Sequence, residues 1–270
     1  MDEWIQAVIL GIVEGITEFL PVSSTAHLLV SKNLLNASSL SGEWFIVAIQ
    51  LGAVLAIILN HGKELVALFR FNETNQRFWS VLFISVSPAF LVGIAIGGQI
   101  HWLYGEHHQA MLIAIALISG GLIMLFVETR IPPPQSVPLA DLPQISKINA
   151  LFIGICQVFA FIPGVSRSAA SIVAGMLVGM NRQAATKFSF FLAIPTILGA
   201  ATYTMVFHVD QLSSSQLDEF FIGLLVSIAV AFLTIRWLLN YLATHRFTLF
   251  AGYRIAAGSL LLLLHGNGIL

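Results

Sequence analysis

Leu10-Gly11-Ile12-Val13-Glu14-Gly15-Ile16-Thr17-Glu18-Phe19-Leu20-Pro21-Val22-Ser23-Ser24-Thr25-Ala26-His27 sets two acids, a proline, a hydroxyl run and a histidine inside sequence otherwise suited to lipid. A second version lies 143 residues on: Ile153-Gly154-Ile155-Cys156-Gln157-Val158-Phe159-Ala160-Phe161-Ile162-Pro163-Gly164-Val165-Ser166-Arg167-Ser168-Ala169-Ala170. Without gaps, Gly11 falls on Gly154, Glu14 on Gln157, Ser23 on Ser166, Ser24 on Arg167, Thr25 on Ser168 and Ala26 on Ala169. One copy carries the acids and a histidine, the other an arginine. That division points to one polar site assembled from two halves of the chain.

The surroundings decide the environment. Of 270 residues, 57% are hydrophobic and only 9% charged, with a mean hydropathy of +0.90. Soluble domains carry about 25% charged residues, so this chain is expected in a bilayer. Crossing the hydrocarbon takes about 20 mostly apolar helical residues, and the sequence predicts such spans near 44–60, 79–97, 110–127, 187–207, 220–236 and 248–265. The two motif stretches are apolar too, but Pro21 and Pro163-Gly164 interrupt them after two or three turns, since proline removes a backbone donor and clashes with the preceding turn. Broken helices survive at membrane depth only when buried in protein or facing a polar cavity, and paired interruptions in two halves mark a midplane site in inverted-repeat proteins. The expected fold is therefore an all-α integral membrane protein, with six transmembrane helices plus two re-entrant helical hairpins in an inverted repeat. Residues 1–131 form the first repeat, with its hairpin at about 5–30. A Pro-rich linker at 132–147 leads to the second repeat, 148–270, with its hairpin at about 148–178.

Other features exclude whole classes. The acidic start (Asp2, Glu3) does not read as a cleavable signal peptide. Cys156 is the only cysteine, so neither an intrachain disulfide nor a cysteine-rich metal site is expected. The net charge of −1 and the lack of a basic cluster give no sign of a nucleic-acid partner. Lys63, Arg70, Arg77, Arg130, Lys147, Arg182, Lys187, Arg236 and Arg246 are read as lying in connections that face the cytoplasm. The connections at 98–109 and 208–219 hold no Lys or Arg but contain Glu106, Asp210, Asp218 and Glu219. Six crossings with both chain ends outside fit this alternation. It makes the repeats inverted, with the first hairpin entering from outside and the second from inside.

Glu14 and Glu18, four apart, share a helix face. Each charge at mid-bilayer costs about 2.5–3.5 kcal/mol, so Glu14, Glu18 and Arg167 must face one another, water or a ligand. A purely structural ion pair is the plain alternative, but two acids against one base leave a charge such a pair would not need. Ser23, Ser24 and Thr25 after Pro21, and Ser166 and Ser168 flanking Arg167, add hydroxyls and freed N–H groups of the kind that bind phosphate. Alone, each hydroxyl cluster would be read as helix-packing glue. His27 offers a base or hydrogen-bond partner. Arg254, inside the last span, is expected to snorkel or to form an ion pair.

At these motifs the chain resembles the bacterial undecaprenyl-diphosphate phosphatase family of the bacitracin-resistance type. The matches are Glu14 and Glu18, Pro21-Val22-Ser23-Ser24-Thr25-Ala26-His27, and Pro163-Gly164-Val165-Ser166-Arg167-Ser168, with further similarity at Ile49-Gln50-Leu51-Gly52, Phe188-Ser189-Phe190 with Pro195, and Tyr253-Arg254. Two departures stand out. Ser171 occupies a position usually held by Thr, which keeps a hydroxyl for phosphate, and Ile46 replaces an acid present in some relatives. The resemblance implies hydrolysis of undecaprenyl diphosphate to the monophosphate and inorganic phosphate, recycling the lipid carrier of cell-wall synthesis and giving bacitracin resistance. It also implies a multi-pass protein of the bacterial plasma membrane whose site opens to the outer, periplasmic face.

Phosphoryl transfer needs mainly positioning and charge stabilisation. Arg167 is assigned to clamp the transferred phosphoryl group, with Ser166, Ser168, Ser23, Thr25 and Ser171 as further phosphate ligands. Two ionised glutamates would repel an anionic substrate, so either Glu14 and Glu18 hold a divalent cation, Mg2+ or Ca2+, which take carboxylate oxygen, or one of them is protonated beside the like charge; the cation is the preferred expectation, and the resemblance supports it. Either Ser24 attacks, activated by His27 or Glu18, or one of those two activates water. The expected partners are the polyprenyl diphosphate and membrane lipids, with self-association left open. The rival from another class is an inverted-repeat transporter or flippase of a polyprenyl phosphate.

Overall fold

A computed structural model describes residues 2–37, 40, 43–70, 72–96, 109–131, 145–207 and 217–267, and all their regular structure is helical. Ten α-helices follow in chain order: α1 (Glu3–Thr17), α2 (Ser24–Leu35), α3 (Glu43–Leu68), α4 (Glu73–Ile96), α5 (Gln109–Arg130), α6 (Lys147–Val158), α7 (Arg167–Leu177), α8 (Arg182–Phe207), α9 (Leu217–Leu242) and α10 (Thr248–Gly266). Six of them, α3, α4, α5, α8, α9 and α10, are long and apolar enough to cross a membrane, and each coincides with one of the six expected spans, α4 ending at Ile96 against an expected limit of 97. Most run past the expected limits because polar residues at a membrane surface prolong a helix as readily as apolar ones. Large side chains such as Phe83, Leu91, Leu225 and Leu263 stand exposed on their outer faces, as the apolar solvent requires.

The four shorter helices are α1, α2, α6 and α7. At 1.5 Å per residue the longest of them, α1 with 15 residues, covers about 22 Å, short of a hydrocarbon core of about 30 Å. Pro21 lies in the break between α1 and α2, and Pro163 in the break between α6 and α7, where a short 3-10 turn (Phe159–Phe161) precedes it. By contrast α4 and α8 run through Pro88 and Pro195. The two halves pack in matched fashion: α1 lies on α9 as α6 lies on α4, while α3 meets α8 and α5 meets α10. Small residues allow these approaches, as is usual without a hydrophobic drive between helices. A methyl at Gly11 would lie 2.8 Å from the Gly223 carbonyl of α9, and one at its counterpart Gly154 2.6 Å from the Ser85 carbonyl of α4.

The count of basic residues needs one correction. Lys63, Arg70, Arg77, Arg130, Lys147, Arg236 and Arg246 are exposed, but Arg182 and Lys187 are buried in α8 rather than sitting in a connection. Arg182 pairs with Glu128 of α5, whose Oε1 also accepts the N–H of Phe247 at 2.9 Å, just ahead of α10. Lys187 pairs with Glu64 of α3. Both spend their charge on internal partners and carry no information about which side faces the cytoplasm. Most of the linker, residues 132–144, and Glu106 and Asp210 lie outside the described residues, whereas Asp218 and Glu219 fall in the first turn of α9.

Candidate active site

The two breaks meet. Glu18, immediately after α1, places Oε1 2.7 Å from Nη2 of Arg167, the first residue of α7. Its other oxygen, Oε2, accepts the hydroxyl of Ser24, the first residue of α2, at 2.6 Å. Ser24 and Arg167 are counterparts in the two motifs. Equivalent positions of the two halves therefore grip the two oxygens of one carboxylate, which neither half could arrange alone.

The local backbone explains how. Ser23 and Ser166 precede those residues and cap α2 and α7, each with its side chain accepting an N–H: Ala26 at 3.4 Å for Ser23 and Ala169 at 3.2 Å for Ser166. Both adopt the left-handed region, with φ 76° at Ser23 and φ 75° at Ser166. A non-glycine residue held there costs on the order of 1–3 kcal/mol, and such strain gathers at functional sites. The turn swings the next residue inward instead of continuing the chain direction. Among the described residues, the N–H groups of Ser24, Thr25, Arg167 and Ser168 make no hydrogen bond, so two helix N-termini present free donors beside the Glu18–Arg167 pair.

Further contacts tie the halves together. Ser168 Oγ donates to the Leu20 carbonyl at 2.9 Å, which makes Ser166 the donor in its 3.0 Å contact with Ser168. Arg167 Nη1 donates to the Ser189 carbonyl of α8 at 2.8 Å, and Ser171 Oγ lies 2.7 Å from Ser189 Oγ. Both terminal nitrogens of Arg167 are thus engaged, its Nε–H makes no hydrogen bond among the described residues, and its side chain keeps 15% of its exposure. Thr25 is the candidate least integrated: it is exposed and makes no side-chain hydrogen bond among the described residues. Glu14 is 0% exposed, and neither of its carboxylate oxygens has a hydrogen-bond partner among the described residues. Its counterpart Gln157 donates to the Ser85 carbonyl at 3.1 Å, a packing role.

His27 is oriented away from the reacting pair. Its Nδ1 donates to the Ser23 carbonyl at 2.8 Å, since a carbonyl can only accept. In the neutral ring Nε2 is then an acceptor, and it meets the Tyr253 hydroxyl at 2.5 Å. Among the described residues no hydrogen bond joins His27 to Ser24, Glu18 or Arg167. Of the two groups expected as base for Ser24, Glu18 is the one that hydrogen-bonds it.

Arg254 departs furthest from expectation. It is 0% exposed, so it does not snorkel, and among the described residues it forms no ion pair and binds only carbonyls. Nη1 donates to Pro21 in the first break at 3.1 Å, Nη2 to Gly164 in the second break at 3.0 Å and to Ala116 at 3.0 Å, and Nε to Leu117 at 3.3 Å. Gly164 has φ +94°, and a methyl on it would stand 2.7 Å from the Ile113 carbonyl, so glycine is required there on both counts. Ser189, Tyr253 and Arg254 were not among the expected site residues. The signal was present, as polar groups within otherwise apolar spans.

Comparison with known proteins agrees with this picture. The family described as bacitracin resistance protein BacA matches residues 7–260. An undecaprenyl-diphosphatase of Methylibium petroleiphilum is 42% identical, covering 96% of this chain and 94% of its own length. Similar proteins are an undecaprenyl-diphosphatase of Dechloromonas aromatica, 40% identical over 96% of this chain and 93% of its own, and undecaprenyl-diphosphatase 1 of Burkholderia cenocepacia, 40% identical over 98% of each. Agreement over nearly the whole length, with both motifs inside the matched region, means that this chain belongs to the bacitracin resistance protein BacA family.

Proposed function

We propose that this chain is a membrane-embedded phosphatase that hydrolyses undecaprenyl diphosphate to undecaprenyl phosphate and inorganic phosphate, so returning the lipid carrier to cell-wall synthesis and conferring bacitracin resistance. The carrying observation is the hydroxyl of Ser24 donating to Glu18 while the same carboxylate holds Arg167. A nucleophile, its base and a cation for the transferred phosphoryl group are in direct contact.

Ser24 Oγ attacks the terminal phosphorus, its proton passing to Glu18. The bond from that phosphorus to the bridging oxygen breaks, and undecaprenyl phosphate leaves with the electron pair and takes the proton from Glu18. Glu18 then accepts a proton from water as the water attacks the phosphoserine, and returns it to Ser24 Oγ as the phosphorus–serine bond breaks. Arg167, with its free Nε–H, and the N–H groups at the starts of α2 and α7 stabilise the charge on the phosphoryl oxygens. His27 holds Ser23 in its left-handed turn and so aims Ser24. Ser166, Ser168 and Ser171 set Arg167 through Leu20 and Ser189.

Glu14, with two orphaned carboxylate oxygens, fits a Mg2+ or Ca2+ ion, and Glu18 would join it through the lone pairs that its bonds to Arg167 and Ser24 leave free. Among the described residues there is no group of three His, Cys, Asp or Glu side chains, so hydroxyls, water and substrate oxygens would complete the shell, as Mg2+ commonly accepts. When bound, the ion neutralises charge on the diphosphate.

The matched packing of α1 on α9 and α6 on α4, with α3 on α8 and α5 on α10, supports an inverted repeat in which α1–α2 and α6–α7 are re-entrant hairpins. The asymmetry of Lys and Arg between connections supports the placement we adopt: plasma membrane, site open to the outer face, both ends outside, and the prenyl chain remaining in lipid. Incubating detergent-purified protein with terminally labelled substrate, then quenching in acid, tests the covalent route. The expected result is a labelled protein that Ser24→Ala lacks, and active turnover without any label would exclude the serine.

A further inference from the structure

One charged side chain has no place in the steps above. Arg254 is fully enclosed, and among the described residues no carboxylate pairs with it. A buried guanidinium is costly unless its donors are satisfied, and four carbonyls satisfy this one. Their origin is informative. Ala116 and Leu117 belong to α5, which supports α10 from behind, whereas Pro21 and Gly164 belong one to each break. Two of the three remaining N–H donors of a rigid planar fork therefore reach the two polypeptide turns that carry Ser24 and Arg167.

We propose that Arg254 is a positioning residue, acting through the backbone to set the separation between the first residue of α2 and the first residue of α7, and hence the alignment of Ser24 and Arg167 on Glu18. The clamp rests on the phosphatase reading above. The adjoining residue of α10, Tyr253, bonds His27, which bonds Ser23. A single dipeptide of α10 thus touches both turns and the histidine that braces one of them. Gly120 of α5 makes room for this fork, because a methyl there would fall on the guanidinium, 2.9 Å from Cζ. Lysine cannot replace the fork, having a point charge on a flexible stem instead of donors in fixed directions.

Two variants and two readouts test the clamp. Arg254→Lys keeps the charge and the length, and Gly120→Ala displaces the guanidinium without removing it. Hydrogen exchange of the purified proteins, which needs no substrate, should show faster exchange at residues 19–26 and 162–170 in both variants, with α3 and α9 as protected as in the parent. Kinetics on undecaprenyl diphosphate should show kcat down by about 10²-fold, the cost of roughly 1 Å of misplacement, with KM changed less than about threefold. Combining either variant with Glu18→Gln should cost little beyond Glu18→Gln alone, because both changes act on one alignment. Losses that multiply, or exchange that rises evenly across the molecule, would reduce Arg254 to a packing residue and overturn the proposal. Should Arg254→Lys fail to fold, Gly120→Ala decides: unaltered exchange at both breaks together with kcat within threefold of the parent rejects the clamp. A parent protein that releases no phosphate would refute the phosphatase reading instead, leaving the exchange result to judge the geometry.

Discussion

Replacing Glu18 by glutamine changes one atom and should disable the enzyme without unmaking its site. The amide oxygen can still accept from Arg167 Nη2, now at 2.7 Å from a carboxylate oxygen, so the link between the two breaks survives in weakened form. The amide nitrogen falls opposite Ser24 Oγ, where the carboxylate now accepts at 2.6 Å. The amide N–H would then donate to Ser24 Oγ, and the serine proton would have no acceptor on residue 18. General-base catalysis contributes about 10²–10⁴-fold. A loss of about 10³ in kcat, or about 4 kcal/mol of barrier, is therefore expected. Arg167 would still meet substrate, so KM should stay within a few-fold. Charge-assisted hydrogen bonds contribute about 1.5–3 kcal/mol, and this one is nearly buried, so a modest fall in thermal midpoint should accompany the change. The assay is phosphate release from undecaprenyl diphosphate by purified protein in detergent, over a range of substrate concentrations, with the unfolding midpoint of the same preparation. A kcat within tenfold of the parent would show that the serine proton leaves by another route, and the assignment of Glu18 as base would fall.

Other residues make separate claims. Removing divalent cations with a chelator should suppress turnover, and Glu14→Gln should raise the Mg2+ concentration needed to restore it by at least tenfold; an unchanged requirement would place the ion elsewhere. Glu128→Gln should lower stability by about 3–5 kcal/mol, since it leaves Arg182 buried without its counter-charge, while kcat of the folded fraction stays near that of the parent, because Glu128 contacts no site residue; this is read from unfolding midpoints beside activity per folded molecule. Gly164→Ala should abolish turnover, as it meets both a positive φ and the Ile113 carbonyl, and an active Gly164→Ala enzyme would show that the second break has other ways to close.

The breaks were legible because each sets residues costly to lipid next to a helix-breaking proline, and the 143-residue offset shows that it happens twice. The Glu18–Arg167 meeting was legible for the same reason, since neither charge has another partner nearby in its own motif. What stayed hidden were roles played against backbone. Carbonyls occur at every residue, so nothing in the letters around Arg254 tells that its partners are Pro21 and Gly164. His27 was legible as a hydrogen-bond partner but its partner was not: three residues from Ser24 on one helix, it turns towards Tyr253, which is 226 positions away. Arg182 and Lys187 misled. A tally of positive charges cannot see that Glu128 and Glu64, on other helices, have already claimed them.

Because Ser24 and Arg167 occupy matching places on either side of Glu18, the chemistry depends on the two copies having become different. A symmetric pair of identical halves would bring two serines or two arginines to the centre, and either two acids or two phenylalanines, since Phe161 is the counterpart of Glu18. Neither arrangement unites attacker, proton acceptor and cation. Fusion into one polypeptide is thus more than a tether: it lets each half specialise, one in hydroxyl and carboxylate, the other in positive charge.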